Sequence, residues 1–224
     1  PIADGPTIQA SYHRALEKGF RVQHLFDLVT RLREEGLEKP LVAMVSETLV
    51  FRRGLDEFLA EAEDAGLDGL IIPDLPAGYE GDAASKAARH GLDLIFLCAP
   101  TTTPWRREHI ARVARGFLYC VSVTGITGER SALPSDLEEN VRDLKRRTGA
   151  PVCVGFGISR PEQAAAVAKL ADGVIVGSAL VKRVAELAEQ GLAGRKLLAV
   201  AGEDIAALAA AAHAQPRSPI VPSQ

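Results

Sequence analysis

Six short apolar runs, each rich in β-branched residues and each followed by a loop and an amphipathic stretch, constrain this chain more than any other feature. They are LVAMVS (41–46), GLIIPD (69–74), LDLIFLC (92–98), FLYCVSV (117–123), PVCVGF (151–156) and GVIVGS (173–178). Runs of this length without polar alternation read as strands buried on both faces, the habit of parallel sheets. Between them the apolar spacing is helical. In VQHLFDLVTRLREEG, Val22, Leu25, Phe26, Val29 and Leu32 share one face and Gly36 ends the pattern. LDEFLAEAEDAG, WRREHIARVARG, LEENVRDLKRRTG and RPEQAAAVAKLADG follow the same rule. Parallel neighbours need crossover connections, so a repeated βα alternation leaves a doubly wound open sheet or a (β/α)8 barrel.

Counting favours the barrel. A complete one has eight strands, whereas this chain supplies six and begins with PIADGPTIQA, a loop and helix start that ought to follow a strand. Pro6 suits a first helical turn and the Asp4-Gly5 step suits a bend. The expected class is α/β, a (β/α)8 TIM barrel with its first two strands absent from the chain and six βα units present. With 224 residues, one barrel domain over 1–214 is expected, followed by a disordered tail, QPRSPIVPSQ, over 215–224.

Charge and composition exclude several functions. The 26 basic residues are scattered among 29 acidic ones, so the electrostatic footprint of a nucleic-acid binder is missing, and aromatics are too few for a stacking platform. No apolar run is long enough to span a bilayer and none resembles a secretion signal, so a soluble, cytoplasmic protein is expected. Cys98, Cys120 and Cys153 lie inside apolar runs and read as buried thiols. The five histidines fall in polar, helical stretches without shared ligand spacing and read as exposed helix residues, so no metal is expected.

Active sites of βα barrels collect at the C-terminal ends of the strands. The segments there are SETL, DLPA, APTT, VTGITGE, GFGIS and GSAL. None contains lysine, which argues against a Schiff-base aldolase, and none gathers histidines with carboxylates, which argues against a metal-dependent one. Asp4, Glu47, Asp74 and Glu80 remain as candidate acids and bases. Glycines cluster after the last three strands, in Gly125–Gly128, Gly155–Gly157 and Gly177-Ser178, where backbone amides and a helix start near Ser178 could hold an anion. A small phosphorylated metabolite is the expected substrate.

Taken together, ADGPTIQ (3–9), IIPDLP (71–76), GITGE (125–129), GFGIS (155–159) with PEQ (161–163), and GSALV (177–181) resemble the tryptophan synthase alpha subunit, in that order. The resemblance covers the chain up to the tail. It implies retro-aldol cleavage of indole-3-glycerol phosphate to indole and glyceraldehyde 3-phosphate, a lyase step of tryptophan biosynthesis. It also implies a beta-subunit partner in an alpha-beta-beta-alpha assembly, with pyridoxal phosphate in that partner alone and no cofactor in this chain. Asp4 matches the aspartate that binds the indole N–H, where positive charge develops as the ring tautomerises. Phe156 matches an aromatic beside the indole, Ile8 an apolar wall, and Tyr119 a tyrosine near the centre. Gly128, Gly157, Gly177 and Ser178 match the phosphate surround, Thr127 a lid threonine that meets the aspartate, and Asp74 a residue that communicates with the beta subunit.

Departures from the family pattern matter as well. The family's strand-two glutamate, its principal acid/base, has no counterpart, so the chain taken alone is expected to be inactive. The strand end that usually carries a tyrosine reads Met44-Val45-Ser46-Glu47-Thr48. Strand alternation turns Glu47 away from the interior if Ser46 faces it, so Glu47 is not expected to substitute. Two other readings stay open: a non-catalytic module that binds a beta-type subunit, and a different phosphate-binding barrel enzyme.

Overall fold

A computed structural model of the chain describes residues 4–122, 136–155 and 157–215. Within them every strand pairing is parallel. β1 (Val42–Met44), β2 (Gly69–Ile71) and β3 (Asp93–Ile95) form one ladder. β4 (Leu97–Cys98), β5 (Leu118–Val121), β6 (Val152–Gly155) and β7 (Gly173–Val174) form a second. The register runs Met44 to Ile71 and Ile71 to Ile95, then Leu97 to Tyr119, Tyr119 to Cys153 and Cys153 to Gly173.

The run at 92–98 is thus divided between two ladders, with Phe96 as the hinge. Its alternation is unbroken: Ile95 and Leu97 join one apolar cluster, Phe96 and Cys98 the other. The Tyr119 amide also donates to the Phe96 carbonyl at 3.0 Å. Seven strand segments therefore occupy six successive positions, one for each apolar run.

Helices separate these positions. α1 (Pro6–Glu17) and α2 (Val22–Glu34) precede β1; α3 (Glu47–Arg53) and α4 (Leu55–Ala65) follow it. α5 (Ala83–Arg89) and α6 (Pro104–Val113) follow β2 and β4, and α7 (Leu137–Arg147) precedes β6. α8 (Pro161–Ala168) leads to β7, and α9 (Ser178–Glu189) and α10 (Gly194–His213) close the described chain. On α2 the expected face is realised: Phe26 and Val29 are buried, and Gly36 ends the turn at φ 87°. No described helix is long and apolar enough to cross a membrane.

Strand alternation divides the apolar side chains into two layers. Leu70, Leu94, Phe96, Leu118, Cys120, Val152 and Val154 pack outward against helices that supply Phe58, Leu59, Ile110, Val141, Leu144 and Val167. Ile71, Ile95 and Tyr119 form the inner layer, flanked by half-buried Val42, Leu97, Phe117, Val121 and Ile175. The outer layer supplies most of the hydrophobic stabilisation, since burial is worth about 25 cal/mol per Å² of apolar surface. The inner layer floors a cavity.

Several expectations need correction. The run 41–46 pairs only as far as Met44, because Ser46 is the N-cap of α3 and Glu47 its first residue. Strand alternation therefore does not govern Glu47. His109 is no exposed helix residue: its ring is largely buried and meets Glu80 at 2.7 Å. Cys98 and Cys120 are buried free thiols as expected, whereas Cys153 is half-buried. Burial pushes Cys120 up to about 12. Residues 216–224 of the expected tail lie outside the described residues.

Candidate functional site at the strand ends

The cavity above the inner layer holds about 290 Å³, near the lower end of small-ligand sites. Its lining brings together Asp4 and Ile8 from the start of the chain, Tyr119 from β5, Gly157 after β6, and Gly177 and Ser178 before and at the start of α9. Six of the nine residues singled out in the sequence thus meet in one space. Thr127, Gly128 and Phe156 lie outside the described residues. Two larger spaces, about 570 and 690 Å³, lie against α9 and α10. The larger includes Pro151, Asp172 and Gly173, at the entry ends of β6 and β7, away from the strand-end loops.

Asp4 is presented by a short rigid entry. Gly5 is the N-cap of α1 in extended conformation, Pro6 starts the helix, and the cap has no side-chain hydrogen bond. Gln9 Nε2 reaches back to the Asp4 main-chain oxygen at 2.7 Å. Tyr12 lines the same cavity, and among the described residues Asp4 is the one carboxylate in the lining. Burial, then the neighbouring Asp4 carboxylate, raises the Tyr12 phenol above its ordinary range. Ile8, Met44, Ile158, Ile175 and Val181 give the lining its apolar walls, and Ser11 and Ser159 are further polar members.

Tyr119 owes its place to a glycine. A Cβ at Gly155 would fall 2.7 Å from ring carbons of Tyr119, so the first glycine of GFG clears room for the aromatic ring. Burial raises the Tyr119 phenol strongly, which keeps it protonated. Gly157 has φ 80°, the left-handed region that a side chain rarely adopts.

The polar end of the cavity is the start of α9. Helix starts leave their first amides without intrahelical acceptors and carry partial positive charge. Gly177 is the N-cap, with no atom within 4 Å of the position its Cβ would take, and Ser178 adds a hydroxyl. The loop after β6 contributes less than its glycines suggest. The amides of Ser159 and Arg160 both donate to Gln163 Oε1, at 3.0 and 3.1 Å, and serve to cap α8.

The remaining carboxylate candidates are taken up by structure. Asp74 Oδ1 accepts the Glu47 amide at 2.8 Å and caps α3, and neither residue lines the cavity. Glu80 accepts from His109 and from the Gly78 amide. Burial works to raise Glu80, but the hydrogen bonds from His109 and from the amides of Glu80 and Gly78 outweigh it and hold the carboxyl below the usual range. Sequence reasoning missed Tyr12, Met44, Ile175 and Val181. Met44 and Ile175 could have been found by alternation along their runs; Tyr12 sits in a polar helical pattern that gives no such signal.

The family model for the tryptophan synthase alpha chain matches residues 1–209. The chain belongs to the tryptophan synthase alpha chain family. It is 51% identical over 192 residues to the tryptophan synthase alpha chain of Rhodopirellula baltica, covering 85% of this chain and 69% of that one. The Geobacter sulfurreducens alpha chain is 47% identical over 182 residues, 81% of this chain and 69% of its own. Among solved structures, the alpha subunit from Legionella pneumophila superposes with a TM-score of 0.86 at 33% identity, covering 95% of this chain and 78% of that one. The tryptophan synthase a2b2 complex from Pyrococcus furiosus gives 0.84 at 37% identity, covering 93% and 82%. With these alpha-chain relatives, the parallel six-position array is part of a (β/α)8 barrel.

Proposed function

We propose that this alpha-family chain cleaves indole-3-glycerol phosphate to indole and glyceraldehyde 3-phosphate, a lyase reaction in tryptophan biosynthesis. The observation that carries the reading is the lining of the cavity: among the described residues one carboxylate, Asp4, with apolar walls, in the same space as the start of α9. A flat aromatic heterocycle suits the apolar walls, its N–H suits Asp4, and a phosphate suits the amides and hydroxyl at Gly177 and Ser178.

The chemistry follows from where charge develops. Protonation at indole C3 turns the ring nitrogen into a cationic iminium N–H, and a fixed carboxylate stabilises that species more than the neutral substrate. The bond between C3 and the glycerol side chain then breaks, and its electron pair restores the aromatic ring. The side-chain hydroxyl loses its proton and becomes the aldehyde. Asp4 is occupied by the N–H, so the proton delivered to C3 comes from a group other than Asp4. Tyr119, held protonated, and Ile8 confine the ring.

The reaction is acid–base chemistry, and we assign this chain no cofactor. Indole passes to a beta subunit that holds pyridoxal phosphate, in an alpha-beta-beta-alpha assembly located in the cytoplasm. Exposed Leu49 and Phe51 on α3 and Tyr79 after β2 offer apolar contacts for that partner.

The test is to supply indole-3-glycerol phosphate to the full-length protein with its beta partner and to quantify both products. Equimolar indole and glyceraldehyde 3-phosphate are expected. Altered beta-subunit activity without cleavage would replace this reading with that of a non-catalytic binding module.

A further inference from the structure

The loop from β6 to α8 borders the cavity, and one side chain decides which of its amides are spent. Gln163, on the first turn of α8, is only 6% exposed, although glutamine is mostly a surface residue. Its Oε1 accepts from the Ser159 amide at 3.0 Å, the Arg160 amide at 3.1 Å and the Ser159 hydroxyl at 3.3 Å. Two backbone donors require the oxygen, not the nitrogen, of the side-chain amide at that place. Two residues before Ser159, Gly157 lines the cavity at φ 80°, and among the described residues its amide has no acceptor. Across the same lining stands Ser178, the first residue of α9, whose amide has no intrahelical acceptor.

We propose that Gln163 is a positioning residue for the phosphate end of the cavity. It fixes the loop so that the Gly157 amide and the start of α9 address one anion, and it occupies the amides at the start of α8 that could otherwise draw a competing one. The assignment rests on the functional reading given above, which makes that anion the substrate phosphate. A carbonyl oxygen can only accept, so the Ser159 hydroxyl gives its proton to Gln163 and Ser178 is the hydroxyl left to donate. The phosphate lies outside the bond that breaks and keeps its charge through C–C cleavage. Its contacts therefore stabilise substrate and transition state alike, and loosening them raises KM while leaving kcat. This signature is the opposite of the one expected at Asp4, which acts where charge develops.

The experiment places Gln163→Met, which keeps the length of the side chain and loses the acceptor, in the full-length protein. KM for indole-3-glycerol phosphate is expected to rise about tenfold, the worth of one hydrogen bond to a charged group, with kcat within about twofold. The second readout needs no activity: inorganic phosphate, titrated calorimetrically, is expected to bind more weakly by a similar factor. Should Gln163→Met not fold, Gln163→Asn, which withdraws the oxygen by one methylene, carries the same expectations. A folded variant with wild-type KM, or with unchanged phosphate affinity, would make Gln163 a helix cap alone and overturn the proposal. A fall in kcat at constant KM would overturn it as well. A wild-type protein that releases no indole, while the Gln163 variant still weakens phosphate binding, would overturn the functional reading and leave the positioning role standing.

Discussion

Two loops of this chain carry acidic residues toward the same end of the barrel, and they use them in opposite ways. In the loop after β2, Asp74 caps α3 through the Glu47 amide and Glu80 is locked between His109 and the Gly78 amide. In the entry to α1, the cap residue is Gly5, and Asp4 beside it lines the cavity. All three carboxylates are plausible acids or bases by residue type. What separates them is whether their lone pairs are spent on backbone and neighbours or kept for something that enters.

The difference can be broken most decisively at Asp4. Asp4→Asn is expected to lower kcat about 10²–10³-fold, as for other donors or acceptors fixed at a developing charge. Its folding stability should change by no more than about 0.5 kcal/mol, since the carboxylate anchors no backbone. Comparable loss of stability and turnover would place Asp4 with the structural carboxylates. Next comes Gly155→Ala. The added Cβ meets the buried Tyr119 ring, and overpacking of this kind costs about 1–3 kcal/mol. A denaturant midpoint equal to that of the wild type would show that the ring has room to move.

Asp74→Ala removes the acceptor at the start of α3, a loss of about 1 kcal/mol. Turnover by the full-length protein measured without its partner should stay within about twofold. A large kcat effect there would erase the contrast between the two loops. The smallest effect belongs to Glu80. Its folded pKa lies below its unfolded value, so its contribution is fully present above the unfolded value of about 4.3 and is lost as pH falls through the folded one. Glu80→Gln should therefore be less stable than wild type at pH 7, and that deficit should shrink as pH is lowered below about 4.3. Thermal melts across this range would show it, and a pH-independent deficit would count against the His109 pair.

The sequence was most legible where burial is strong. Each of the six apolar runs became a strand position, because runs buried on both faces have few alternatives, and the helical face of α2 emerged at Phe26 and Val29. Strand ends were less legible. Ser46 read as the last residue of its run and Glu47 as following the strand's alternation, yet the start of α3 claims both. The site was legible to the extent that it is built from loops after strands, which is how Gly157, Gly177 and Ser178 could be grouped; Ile8, and the joining of Asp4 with them, came from the family resemblance. Partnerships over distance were not: Glu80 and His109 are 29 positions apart, and no local pattern joins them. Tyr12 was hidden differently, as an aromatic in an amphipathic helix, where core packing is the ordinary explanation. Here it lines the cavity together with Asp4.

The account stands most directly on where a substrate-shaped ligand binds. A crystal structure of the protein with indole-3-propyl phosphate, which lacks the glycerol hydroxyls and cannot be cleaved, would decide this in one measurement. We expect the indole N–H within hydrogen-bond distance of the Asp4 carboxylate, the ring against Ile8 and Tyr119, and the phosphate on the Gly177 and Ser178 end of α9. A ligand seated instead in the space between α8, α9 and α10, with the cavity at Asp4 empty, would contradict it.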